Sequence, residues 1–125
     1  MEKLPWRIAV VEDDPSMLRS VQRLLNAHGY TTEGYSSAEA YLDRPDTKID
    51  CLVLDVDLGG MSGIELQRRL RASGSRLPVI FVTALEDAAL EAEAARTGCV
   101  AYLRKPFPSA LLIKALEEAS ATTRD

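Results

Sequence analysis

Cys51-Leu52-Val53-Leu54 is apolar at every position and runs straight into Asp55. A strand with one face in water alternates apolar and polar side chains, so an unbroken apolar run predicts a strand covered on both faces. Ile8-Ala9-Val10-Val11 and Val79-Ile80-Phe81-Val82 repeat the pattern. Such strands belong to a parallel sheet with helices on either side. Working outward from them, the spacing predicts five strands, over 7–11, 31–35, 51–54, 78–82 and 100–103. The second, Thr31-Thr32-Glu33-Gly34-Tyr35, is more polar and suits an edge.

Helical stretches with clear punctuation separate the strands. Asp14 is placed to cap the first helix, Pro15 suits its first turn and Gly29 ends it. Met17, Val21, Leu24, Leu25 and His28 then share a face, which makes His28 a helix-end residue rather than a catalyst. Ser36-Ser37-Ala38-Glu39 and Ser62-Gly63-Ile64-Glu65 each read as a capping box. Gly74 and Gly98 mark the ends of the third and fourth helices. Leu112, Ala115, Leu116 and Ala119 form one buried stripe on a last helix, and the polar tail 121–125 is expected to fray. Five βα units follow, without linker or repeat. The reading is an α/β fold: one doubly wound domain over residues 1–125, its core spanning about 7–119.

Composition narrows the function. The 125 residues suffice for one domain with its own core, and 46% apolar with 27% charged residues is ordinary for a soluble protein. A net charge of −4 gives no electrostatic reason to expect nucleic acid or an anionic membrane as a direct partner. The chain shows neither a membrane-span run nor a signal-peptide core at its start, so a cytoplasmic location is expected. Cys51 and Cys99 lie far apart in apolar surroundings and read as buried free thiols. His28 is the only histidine, which excludes a multi-histidine metal site.

Functional sites in doubly wound sheets lie beyond the carboxyl ends of the strands. Those positions hold Glu12, Asp13 and Asp14 after the first strand, Asp55 and Asp57 at the third, Thr83 at the fourth and Lys105 after the fifth. Crowded carboxylates repel, and a hard divalent cation held by oxygen ligands relieves the repulsion; magnesium suits a site that also takes phosphate oxygens. A carboxylate can itself accept a phosphoryl group, with a cation and donors neutralising the equatorial oxygens. Taken singly, Asp55 also reads as a helix cap, Thr83 as a strand-end hydroxyl and Lys105 as a solvated charge. Their joint occurrence at the strand ends favours the chemical reading.

The order Val10-Val11-Glu12-Asp13-Asp14, Leu52-Val53-Leu54-Asp55, Val82-Thr83-Ala84 and Tyr102-Leu103-Arg104-Lys105-Pro106-Phe107 resembles receiver domains of two-component response regulators. The Ser37-to-Leu42 and Gly63-to-Leu66 segments look most like receivers that precede a LuxR-type helix-turn-helix. The likeness covers roughly residues 7–119. It implies a flavodoxin-like (βα)5 fold with the sheet in order 2-1-3-4-5. It further implies that Asp55 is the phosphoacceptor and that Glu12 and Asp13 organise Mg2+, Asp13 as the more direct ligand. Residue Asp57 matches the position that offers its backbone carbonyl to the metal. Thr83 and Lys105 match the groups that hold the phosphoryl, and Thr83 and Tyr102 form the switch. Asp14 matches a variable neighbour. The implied partners are a sensor histidine kinase and a second copy, docked through the fourth helix, fifth strand and fifth helix. DNA would be reached only through an effector domain absent from this chain. Such a protein is a signalling phosphoacceptor and not an enzyme acting on other substrates.

Two features depart from the family pattern. Glu12 stands where Asp is commoner, and Asp57-Leu58-Gly59-Gly60-Met61 lacks the usual Met-Pro pair after the phosphoacceptor. Without proline the loop at the metal contact is expected to be looser. Asp55-Val56-Asp57 also fits the Asp-x-Asp strand end of haloacid-dehalogenase-like phosphatases, but those carry the motif near the chain start, with further catalytic segments downstream. A pseudo-receiver that binds without phosphorylation is the third reading; the intact acids, Thr83 and Lys105 speak against it.

Overall fold

The computed structural model describes residues 5–44 and 48–123. The chain alternates strand and helix throughout: β1 Arg7–Val11, α1 Pro15–Ala27, β2 Thr31–Tyr35, α2 Ala38–Leu42, β3 Cys51–Asp55, α3 Gly63–Ala72, β4 Val79–Thr83, α4 Ala88–Arg96, β5 Ala101–Arg104 and α5 Ser109–Thr123. The strands form a single sheet in the order β2-β1-β3-β4-β5, and every pairing is parallel. The polar second strand takes one edge, as its composition predicts. The apolar runs β1, β3 and β4 take the three central places, with β3 and β4 buried along their whole length.

Alternation of side chains across the sheet creates two cores. Ala9, Leu52, Leu54, Val79 and Phe81 face one side, with Ile64 and Leu66 of α3 and Ala94 of α4. Ile8, Val10, Cys51, Val53, Ile80 and Val82 face the other. There they meet Val21 and Leu25 of α1 and Leu112, Ala115 and Leu116 of α5, and Ala119 is buried as well. The α5 stripe predicted from spacing is therefore the buried one. No helix among the described residues is long and apolar enough to cross a membrane.

Helix boundaries follow local chemistry. The Asp14 carboxylate accepts the amide of Ser16 at 3.0 Å, and Pro15 opens α1. His28 is the exposed C-cap of that helix. Gly29, Gly74 and Gly98 follow α1, α3 and α4 with φ of 92°, 95° and 84°, a region where a side chain is strained. Ser62 caps α3 by accepting the Glu65 amide at 3.1 Å.

Three expectations need correction. α2 is capped by Ser37, whose hydroxyl accepts from Ala40 N at 3.0 Å, so Ser36 and Glu39 form no capping box. The tail begins inside a helix and not after one, since α5 runs to Thr123; residues 124–125 lie outside the described residues. Strand ends also shift by one residue. Val56 N donates to Val82 O at 3.0 Å and Lys105 N to Thr83 O at 2.7 Å, which carries β3 through Asp55 and β4 through Thr83. Pro78 has no N–H to give the ladder and contributes only its carbonyl, to Leu52 N at 3.0 Å.

Candidate functional site

Register brings the strand ends to one rim. Val11 pairs with Leu54, Asp55 with Val82 and Thr83 with Arg104, so Glu12, Asp55, Thr83 and Lys105 emerge from adjacent strands at a common level. The backbone fixes the flanking positions: Glu12 N donates to Tyr35 O at 2.9 Å, and Lys105 N to Thr83 O at 2.7 Å.

The side chains are unusually buried for their charge. Glu12 is 2% exposed, Asp55 4% and Thr83 0%, while Asp13 projects into solvent. Lys105 Nζ bridges the two buried acids, 2.7 Å from Glu12 Oε1 and 3.2 Å from Asp55 Oδ2. Burial pushes the Glu12 carboxyl above its ordinary value; the bond to Lys105 works against this, and the nearby Asp55 adds to it. For Lys105 burial works downward, but Glu12 and Asp55 prevail and hold the ammonium above its usual range. Glu12 Oε2 accepts the Asp14 amide at 3.1 Å, and Asp55 Oδ1 accepts the Asp57 amide at 3.0 Å.

Glu12, Asp13 and Asp55 each offer a carboxylate oxygen, all within 4.8 Å of one another. A hard, all-oxygen donor set of this kind fits Mg2+, which takes one or two carboxylates and keeps water or phosphate in its remaining positions. Asp14 is turned to the α1 cap and does not join the group. Asp57 is exposed, and its side chain stands outside the group too; its backbone is what touches the site. Thr83 Oγ1 accepts the Leu85 amide at 3.0 Å, which leaves its single O–H free to donate.

Tyr102 lies one strand over from Phe81, with ring centroids 6.3 Å apart and planes tilted by 55°. Its hydroxyl is buried and has no hydrogen-bond partner among the described residues. Burial, then Glu91 and Asp87, push the phenol above its ordinary value. The ring therefore points inward.

One positioning residue was invisible to motif reading. A Cβ on Gly63 would stand 2.2 Å from the Asp55 carbonyl oxygen, so only glycine lets α3 begin this close to the end of β3. Gly63 N donates to Val56 O at 3.0 Å and fastens the approach. In the sequence Gly63 figures only in the Ser62-to-Glu65 capping box and the Gly63-to-Leu66 resemblance, and neither points to its contact with Asp55.

Residues 8–117 match the family model described as the response regulator receiver domain. The chain is 36% identical over 113 residues to the transcriptional regulatory protein FixJ of Bradyrhizobium diazoefficiens, covering 90% of this chain and 55% of that protein. The chain thus spans about half the length of the curated relatives it matches. Full-length FixJ from B. japonicum superposes with a TM-score of 0.89 at 33% identity, over 98% of this chain and 61% of that one. A response regulator receiver protein from Burkholderia phymatum superposes with a TM-score of 0.81 at 40% identity, over 93% and 95%.

Proposed function

The chain belongs to the response regulator receiver family, and from that premise we propose that Asp55 accepts a phosphoryl group from a sensor histidine kinase in a magnesium-dependent reaction that switches a downstream output, transcription. One observation carries this reading. The Asp55 carboxylate ends a central strand with a cation, Lys105 Nζ, at 3.2 Å and the Glu12–Asp13 pair within 4.8 Å. An ion pair serving only stability has no need of a second and third acid at the same rim.

In the proposed step an Asp55 carboxylate oxygen bonds to phosphorus as the phosphorus–nitrogen bond of the phosphohistidine breaks, returning neutral histidine after protonation. Glu12, Asp13 and Asp55 side chains and the Asp57 backbone carbonyl would hold Mg2+, which supplies charge neutralisation for the transferring group. Lys105 moves from carboxylates to phosphoryl oxygen, and the Thr83 hydroxyl donates to another. Strand register brings both residues to the same rim, so Lys105 has only to exchange a carboxylate oxygen for a phosphoryl one. The Asp57 amide keeps the Asp55 carboxylate oriented.

Output needs two arrangements with different contacts to the phosphoryl group. Thr83 and Tyr102 are the proposed switch: turning the hydroxyl toward phosphate vacates space, and the inward Tyr102 ring responds. The face of α4, β5 and α5 would then dock a second copy or an effector; among the described residues β5 is an edge strand, with no neighbour beyond it in the sheet. The relatives named as transcriptional regulators support DNA as the distal target, reached through a separate effector domain. The reaction belongs in the cytoplasm, and the chain acts there as a phosphoacceptor without turnover of other substrates.

Intact-mass analysis after incubation with acetyl phosphate or a phosphorylated kinase tests the assignment. One added phosphoryl group is expected, lost with EDTA and lost in Asp55→Asn. Equal labelling of the variant would overturn it.

A further inference from the structure

Glu39 stands on α2, exposed, and reads as a solvated charge. It is engaged nonetheless: its Oε2 accepts the backbone amide of Met61 at 3.0 Å, across 22 positions of sequence. The carboxylate lies directly over Gly60, where a Cβ would stand 2.7 Å from Oε2. The seat therefore exists because residue 60 has no side chain. The Met61 amide, first among the causes, holds the Glu39 carboxyl below its usual range.

Met61 closes the segment that begins at Asp57. At one end the Asp57 amide donates to Asp55 Oδ1 at 3.0 Å, and at the other Glu39 grips Met61. Between them only Leu58 is buried, and Gly59-Gly60 bring no stiffness of their own. The anchor itself is firm: Ala38 and Tyr41 are buried, and Ser37 caps the helix.

We propose that Glu39 is a positioning residue for the phosphoryl site, fixing the 57–61 segment, and with it the Asp57 backbone, in the absence of a proline. The proposal rests on the function proposed above, which assigns the Asp57 carbonyl to the metal. Glu39 touches neither metal nor phosphate. It acts by restraining the loop that does.

Amide hydrogen exchange at Met61, followed by NMR in the metal-free, unphosphorylated protein, reads the tether without any reaction. Protection is expected to fall about tenfold in Glu39→Ala, and to be largely kept in Glu39→Gln, whose amide oxygen still accepts. Gly60→Ala should mimic Glu39→Ala, since its methyl displaces the carboxylate; Gly60 has no positive φ, so its backbone admits alanine. The double variant should be no worse than either single one, because both remove one contact. Magnesium titration by calorimetry should then give a Kd raised about threefold or more in Glu39→Ala and Gly60→Ala, with full Asp55 labelling restored at saturating metal. Unchanged Met61 exchange in Glu39→Ala overturns the proposal, as does lost protection with unchanged metal affinity. A wild-type protein that binds no magnesium overturns the function proposed above and this positioning role with it.

Discussion

Lys105 sits closer to Glu12 than to Asp55, 2.7 Å against 3.2 Å. On the assignment proposed above, the nearer partner is an acid of the metal group and not the phosphoacceptor, and the ammonium would share that ground with a divalent cation. Removing it should separate two roles. In Lys105→Ala, magnesium affinity should be unchanged or tighter, because a competing cation is gone. The phosphorylation rate should fall about a hundredfold, the usual cost of one lost donor to a developing oxyanion. Calorimetry for the metal and time-resolved mass analysis for the phosphoryl group check both halves. A weakened metal site would show that Lys105 chiefly orients the acids.

The same pair sets a pH signature. Glu12 has its folded-state carboxyl raised by burial. The folded chain therefore holds a proton that the unfolded chain releases, and stability falls as pH rises from the ordinary glutamate value through the raised one. Lys105 is raised as well, so its contribution is present below the ordinary lysine value and is lost as pH climbs through the higher folded value. Urea unfolding of metal-free Glu12→Gln should lose the acid-side slope and weaken the alkaline one, because Glu12 is the first of the groups that hold Lys105 up.

Gly63 offers a purely steric test. Its missing Cβ leaves room for the Asp55 carbonyl oxygen, which would otherwise be met at 2.2 Å. The obstacle is backbone, so it yields poorly. Gly63→Ala should cost about 3 kcal/mol by urea denaturation, and should lower the labelling of Asp55 in whatever fraction remains folded. Gly59→Ala, with nothing within 4 Å of its added methyl, is the matched control and should lie near wild type.

How much of this was legible in the sequence depended on range. β1 and β2 came out residue for residue, because their patterns are local and bounded by clear turns. β3 reaches through Asp55, one residue past its apolar run, since the ladder bond from Val56 N to Val82 O is blind to side-chain polarity. The strand-end residues were readable because parallel topology alone delivers them to one rim. Ser36-x-x-Glu39 misled: Ser37 has the extended backbone that an N-cap needs, and Glu39 is drawn to Met61 instead. Gly63 and Glu39 act through partners that are neighbours only in the folded chain, Glu39 across 22 residues. No local rule reaches that far.

The thiols give a probe of folding. Burial pushes Cys51 up to about 12, so at pH 8 roughly one molecule in ten thousand carries the thiolate. Cys99 is half-buried and also raised, by burial first. Native protein at pH 8 should react with Ellman's reagent only slowly at Cys99 and not at Cys51. Cys51 should become reactive on global unfolding. Rapid native labelling of Cys51 would mean that β3 opens to solvent.

Tyr102 carries the last test. Its hydroxyl is buried without a hydrogen-bond partner among the described residues, which costs the resting fold about 1–3 kcal/mol of desolvation. Removing the oxygen and keeping the ring should therefore relieve the penalty. Tyr102→Phe should raise the unphosphorylated protein's stability by about 1 kcal/mol in urea, with ring packing against Phe81 retained. If the switched arrangement gives that hydroxyl a partner, the same variant also loses a bond there, and both effects favour the resting state. Asp55 should then label to the wild-type extent while the response of the α4, β5 and α5 face, followed by hydrogen exchange, is reduced. A destabilised Tyr102→Phe would mean that the hydroxyl is already satisfied at rest. Equal stability and an equal response would leave Tyr102 as a packing residue, with Thr83 acting through another neighbour.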